Sequence, residues 1–568
     1  MFSKKPTARE KLSKRSFVTA GVILAVLAFA PSLGLGQPSE SWNDASQFLL
    51  SRDFPFTETP MTREYNWEVS ESTISPDGLA RPMLLVNGMF PGPLIEANTG
   101  DRIVVHVTNN MDEGTAIHWH GIHQKGTPWM DGTVGVTQCE IPPGQTMTYD
   151  YTITNQWGTY WWHAHAASQY VDGIFGPLIV HSLDEPHLGK YDEDIIMMLQ
   201  DYYHTLSGPL VKWYRSQSND PLPDNGLING RNSFDCSRDA QAQRPTRNTC
   251  TNGAPLATFD FKAGLTYRIR LINTGAFAGF QFSIDGHILK VIEADGVDMQ
   301  PVEVQRLPIH VAQRYSVLVR ADQAVDNYYV RATMNTNCFF SQNDALDPFV
   351  KAVIHYVGAD VTQSFDSTDW ITPSMAPSCN DLALNMLHPS NAQSAPPADV
   401  SHLIEFTFKP DSNKVMVGYA NDVPWSPLKH DATLFQSQRG VTPFEDTQEV
   451  VVLSETNVEL VLINNDGGAH PFHFHGYTVS VLGWGEGPYN PEDTPLELKN
   501  PLRRDTITIP KNGWAVVRFV NDNPGLWTLH CHMDWHMEAG LLIQFESLPE
   551  QIRGLEIPPE ITAMCGAQ

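Results

Sequence analysis

Twelve residues near the end of the chain limit it more than any others. They are His530-Cys531-His532-Met533-Asp534-Trp535-His536-Met537-Glu538-Ala539-Gly540-Leu541. A thiolate donor lies between two imidazoles, and a third imidazole follows four residues later. Thiolate with imidazole suits copper, zinc or iron. If His530 to His532 form a β-strand, successive side chains point to opposite faces. His530 and His532 then face one way and Cys531 the other. One short strand would serve two metal centres, joined through the backbone around Cys531. A structural zinc site has no use for that arrangement, whereas a device that passes electrons between two centres does.

Three more His-x-His pairs occur: His118-Trp119-His120, His163-Ala164-His165 and His473-Phe474-His475, the last preceded by His470-Pro471-Phe472. Each spacing places two imidazoles on one face of a strand. The four pairs make eight imidazoles. His470, Cys531 and His536 are left over, a His2Cys set of the kind that forms blue-copper electron-transfer sites. A single His-x-His pair is easily a surface or core accident. Four pairs, one with a cysteine interleaved, leave that explanation little room.

At 568 residues the chain exceeds what one hydrophobic core supports, about 250–300 residues, so several domains are expected. A hydrophobic fraction of 41% with 18% charged residues suits large cores, and 41 Pro and 40 Gly punctuate short β-rich runs. This pattern predicts an all-β chain of sandwiches or barrels. A turn followed by an apolar strand ending in Asn occurs three times, at residues 99–109, 263–273 and 456–464, and implies three similar β-sandwiches. The first and third contain the metal motifs. The second has none and is expected to act as a spacer that helps shape a substrate pocket. Its Asp285-Gly286-His287 reads as turn chemistry. A polar, Pro-containing stretch from about Pro389 to Val400 reads as a linker.

Residues 1–36 carry six basic groups and one acidic group, followed by an apolar run from Phe17 to Ala30 that Pro31 ends. Fourteen residues are short of the roughly 20 that span a bilayer, so residues 1–36 are expected to be a secretory signal and no stable membrane insertion is expected. The formal charge is −27; removing that surplus of five leaves about −32. Such a surface repels nucleic acid and anionic membranes. Seven cysteines suit an oxidising compartment. Setting Cys531 aside leaves six, which allow 15 connectivities. No Asn-x-Ser/Thr sequon is present. The expected location is extracellular, or periplasmic or in the cell wall for a bacterial source, with a monomer as the default.

The segments HWHG, HAH, HPFHFH and HCHMDWHMEAGL resemble the four copper signatures of the multicopper oxidases, closest to fungal laccases and laccase-like ferroxidases. The resemblance spans roughly residues 58–566. It implies three consecutive cupredoxin-like domains, at residues 58–182, 190–360 and 400–568. It also implies four copper ions. His470, Cys531 and His536 would bind the type 1 copper, and His118 and His473 the type 2 copper. His120, His163, His165, His475, His530 and His532 would bind the type 3 pair. The implied reaction takes single electrons from a phenolic donor through His536 and Cys531 and reduces dioxygen to two waters. Asp131 matches the family's proton-relaying acid, Asp534 is expected to orient the ligand strand, and Asp224 matches the carboxylate that accepts a phenolic proton. Leu541 matches the axial position, where a residue that cannot coordinate raises the reduction potential. The expected disulfides are Cys139–Cys565, as in similar ascomycete enzymes, with Cys236–Cys250 and Cys338–Cys379 closing local loops.

The alternative is a ferroxidase. Asp466 and Asp220 lie at positions that ferroxidases use for carboxylates. Gly286 occupies a place where a further one would be expected, and no C-terminal membrane span follows. A non-catalytic copper or electron carrier is a third reading, but it would leave the eight cluster imidazoles unexplained.

Overall fold

The three repeat segments form the strands Arg102–Asn109, Thr266–Asn273 and Asn457–Asn464, and they occupy equivalent places. Each lies between a parallel neighbour that precedes it in the chain and an antiparallel neighbour that follows it. The shared terminal Asn has a shared cause. Asn109, Asn273 and Asn464 are buried, and each side-chain amide donates to two backbone carbonyls. Each side-chain oxygen also accepts the N–H two residues on. The residue thus closes an Asx-turn and satisfies loop groups that would otherwise be buried unpaired.

The computed structural model describes residues 42–217, 219–239, 249–362, 365–370, 379–441 and 444–566. The signal expected at residues 1–36 lies outside them. Six sheets are present: two of four strands over residues 62–181, then six- and five-stranded pairs over residues 193–356 and again over residues 400–547. They make three β-sandwiches in chain order, as the sequence implied. The middle and third sandwiches share a continuous apolar core. Residues 390–399 contain no helix or strand, and Val400 opens the next strand. Among the described residues no helix is long and apolar enough to cross a membrane.

Edge strands show the expected alternation of exposure, as in Thr146–Thr152. The histidine-bearing strands do not. Ile117–His120, Gly158–Ala164, His470–Phe474 and Gly525–Cys531 are buried on both faces. The residue between each pair of histidines explains one face: Trp119, for example, packs against Trp67 and Tyr149 in the first core. The histidines occupy the other face.

All three expected disulfides form: Cys139–Cys565, Cys236–Cys250 and Cys338–Cys379. Cys531 remains a free, buried thiol. The first bridge joins positions 426 residues apart, tying the first sandwich to the end of the chain.

Candidate metal centres and donor site

Strand register brings the histidines together. His118 lies opposite His163 in one antiparallel pair, and His473 lies opposite His530 in another. The two pairs face each other where the first and third sandwiches meet. The His120 and His473 rings stack at 3.6 Å between centroids and those of His118 and His475 at 4.0 Å. Three triads result, each with its donor atoms within 4.8 Å of one another: His118, His120 and His473; His120, His163 and His532; His165, His475 and His530.

The nitrogens of these rings divide into two sets. Outward nitrogens are engaged by protein. His118 Nδ1 donates to the Asp131 carbonyl (2.7 Å), His163 Nδ1 to the Ala164 carbonyl (2.9 Å) and His530 Nδ1 to the Cys531 carbonyl (3.0 Å). His473 Nδ1 donates to the Asp505 carbonyl at 3.2 Å and His475 Nδ1 to Asp131 Oδ2 at 2.8 Å. Inward nitrogens, including His118 Nε2, His120 Nδ1, His163 Nε2 and His473 Nε2, are buried without a protein partner. Each such orphan costs about 1–3 kcal/mol unless something binds it. Burial also holds His120, His163, His165, His475 and His532 well below the ordinary imidazole range, and His530 at about 3. Neutral rings with inward lone pairs are the form that ligates a metal. Eight imidazoles fit borderline transition metals such as copper.

The His2Cys set sits on the other face of the same strand. His470 Nδ1 and His536 Nδ1 are 3.1 Å apart, and Cys531 Sγ lies 3.6 and 3.4 Å from them. Burial pushes the Cys531 thiol up, but the charge of His536 and hydrogen bonding with both imidazoles outweigh it and bring the thiol to about 7. Leu541 is fully buried beside this set, and its carbonyl accepts the Cys531 N–H. The covalent link expected from alternation is present: His530 and His532 reach one centre, and Cys531 the other.

The outward Nε2 atoms of this set meet carboxylates. His536 Nε2 donates to Asp220 Oδ1 at 3.1 Å, and His470 Nε2 to Asp466 Oδ2 at 3.1 Å. Asp224 is not placed here, against the expectation for it. Its Oδ2 accepts the His204 N–H at 2.8 Å and its Oδ1 the Asn343 amide at 3.3 Å, which closes the turn into strand Asn225–Ile228. Three residues, Pro221, Leu222 and Pro223, separate it from Asp220, a reach of up to roughly 13 Å over four residue steps. Gly286 also fails as a marker of a missing carboxylate. It sits near Gln323 and lines a separate cleft with Asp285, Asp326 and Asp360.

A cavity of about 500 Å³ opens at His536 and Asp220. Its wall includes Phe277, Phe339, Phe340, Phe408, Met416 and Met533. Phe340 is 69% exposed at its rim.

Asp131 binds the backs of His475 and His118. Burial would raise its pKa, but those two histidines hold it well below the carboxylate range. Asp534 is buried, both its oxygens lack partners, and burial with the nearby Glu538 pushes it well above that range. It lines a small void beside His163, His165, His530 and His532. Sequence reasoning missed Asp505, which lies 3.4 Å from His120 Nε2 and 3.5 Å from His473 Nδ1. The charged triplet Arg503-Arg504-Asp505 between apolar strand residues was the available signal.

Multicopper oxidase family models match residues 68–185, 193–359 and 409–551. Laccase-1 of Cryptococcus neoformans var. grubii is 35% identical across 92% of this chain and 86% of its own length. The iron transport multicopper oxidase fio1 of Schizosaccharomyces pombe is 34% identical across 89% of this chain and 79% of its own. The crystal structure of the laccase from Botrytis aclada is similar with a TM-score of 0.82 and 34% identity, covering 90% of this chain and 92% of that one. The three sandwiches are therefore cupredoxin-like domains, and the protein is an oxidoreductase. The chain belongs to the multicopper oxidase family.

Proposed function

We propose that the protein is a laccase-type oxidase that takes electrons singly from phenolic or related aromatic donors and delivers four to dioxygen. His470, Cys531 and His536 would hold the type 1 copper, and His118 and His473 the type 2 copper. The type 3 pair would be held by His120, His163 and His532 on one side and by His165, His475 and His530 on the other, which follows the grouping of the buried donors. Copper bound at these four positions supplies the electron storage and the reduction of dioxygen to water.

The aromatic-walled cavity that ends on His536 and Asp220 carries the donor assignment. An aromatic ring suits those phenylalanines and methionines. A phenol gives up its proton as it gives up its electron, and Asp220, hydrogen-bonded to His536 in that wall, would accept it. The electron enters through the His536 imidazole and passes by Cys531 into the backbone shared with His530 and His532. Asp131 and Asp534 would manage protons at the dioxygen side. We place the protein outside the cell, where its three disulfides persist.

One observation favours a second reading. Asp220 and Asp466 together present two carboxylates beside both outer imidazoles, a hard-ligand pair suited to Fe(II), and a relative named for iron transport is similar across the chain. Oxygen uptake separates the two. Asp220→Asn is expected to cut kcat/KM for 2,6-dimethoxyphenol about 100-fold and to leave ferrocyanide, which releases no proton, nearly unchanged. Preferred turnover of Fe(II), abolished by Asp220→Ala with Asp466→Ala while the phenol rate survives, would make the protein a ferroxidase.

A further inference from the structure

The two carboxylates behind the cluster imidazoles are held differently. Asp131 comes from the first sandwich and is held there by Thr133 Oγ1, which donates to its Oδ2 at 2.9 Å. Asp505 is gripped from the middle sandwich, which contributes no metal ligand. Arg314, fully buried at the start of strand Arg314–Arg320, donates Nη1 to Asp505 Oδ1 and Nη2 to Asp505 Oδ2, both at 2.6 Å. Its Nε donates to the Thr159 carbonyl at 3.1 Å, on the strand that carries His163. Its backbone N–H donates to Asp295 Oδ1 at 2.8 Å, and Asp295 also receives Arg504 Nε at 2.8 Å. One side chain therefore touches the first and third sandwiches from the second, and a single atom, Asp505 Oδ1, separates it from the rings of His120 and His473.

Gly121 shows how tightly this pair is packed. A Cβ there would lie 2.7 Å from both Arg314 Nη2 and Tyr160 Cδ1 and 2.9 Å from Asp505 Oδ2, at a φ of +88° that already favours glycine. A desolvated ion pair is weak evidence for stability, since apolar packing often serves a fold equally well. Groups behind ligating imidazoles instead set ring orientation and the nitrogen that carries the proton.

We propose that Arg314 is a positioning residue for the copper positions that share His120 and His473: by fixing Asp505, the copper-free middle sandwich sets metal affinity on the type 2 side of the cluster. This rests on the reading of the eight imidazoles as copper ligands.

The test uses the full, copper-loaded enzyme with Arg314→Met and Asp505→Asn. Copper per chain, the blue type 1 absorbance, the type 2 electron paramagnetic resonance spectrum and the unfolding temperature are read together. The expected result is a 10–100-fold weaker hold on copper at the type 2 side, with that signal lost or altered and the blue absorbance kept. Wild-type copper content and spectrum in both variants would overturn the proposal. So would parallel loss of blue absorbance and fold in both, because that is the behaviour of a domain bolt. If Arg314→Met fails to fold, Asp505→Asn, which keeps the side chain's shape, decides alone. A wild-type chain with blue absorbance but no type 2 signal would defeat the ligand reading instead.

Discussion

At the residue scale, Leu541 and Asp220 would set what the proposed type 1 side can do. Leu541 offers no donor atom, and a weak axial thioether would favour Cu(II). Leu541→Met is therefore expected to lower the type 1 potential by roughly a tenfold shift in the one-electron equilibrium, about 59 mV, as measured by redox titration of the blue band. An unchanged or higher potential would remove Leu541 from the axial role. Cys531 and its flanking histidines were legible because strand alternation turns a three-residue string into two faces. Asp220 and Asp224 were not separable in the same way. Both are acidic residues in one short turn-rich stretch, and only the path of residues 220–224 decides which carboxylate meets His536. Arg314 was illegible for another reason. Its partner Asp505 is 191 residues away, and nothing local to either marks the pairing.

At the element scale, the repeat strands state their own design. Asn273→Ala would orphan the carbonyls of Ala278 and Ile309 and the N–H of Gly275. At about 1–3 kcal/mol for each unsatisfied group, calorimetry should show a fall of several degrees in unfolding temperature with the blue band of the folded protein unchanged. The repeat was readable from sequence because the same device recurs three times. Its purpose was not, because the carbonyls that the Asn serves come from distant loops. Asp298, on strand Val297–Val304, gives a pH prediction. Burial raises its pKa to about 7, only partly offset by the hydrogen bond from Trp157 Nε1. A carboxyl raised in the folded state favours folding least when it must ionise. Its cost is absent below the unfolded value near 4, grows as pH rises and is complete above about 7. Asp298→Asn should therefore raise the unfolding temperature by a few degrees at pH 8 and by almost nothing at pH 3.5. An equal gain at both pH values would contradict that assignment.

At the scale of the whole molecule, the two metal sites differ in how they are built. His470, Cys531 and His536 come from one sandwich, whereas the triads draw on two sandwiches joined at an interface and tied by Cys139–Cys565. Loosening that interface should empty the shared site first. Cys565→Ser, with a chelator present, is expected to release copper from the type 2 and type 3 positions while the blue absorbance persists. Simultaneous loss would mean that the domains do not part before they unfold. Three sandwiches and two outer metal-bearing segments were readable from the repeat and the motif order. The grip of the middle sandwich on Asp505 was not, because it runs through a guanidinium that no motif marks.

The central claim is that one strand couples single-electron oxidation to four-electron reduction of dioxygen. The stoichiometry of oxygen consumption with a simple phenol tests this most directly. Four phenols oxidised for each dioxygen, with no hydrogen peroxide, is the expected result. Two phenols for each dioxygen, with peroxide accumulating, would contradict it.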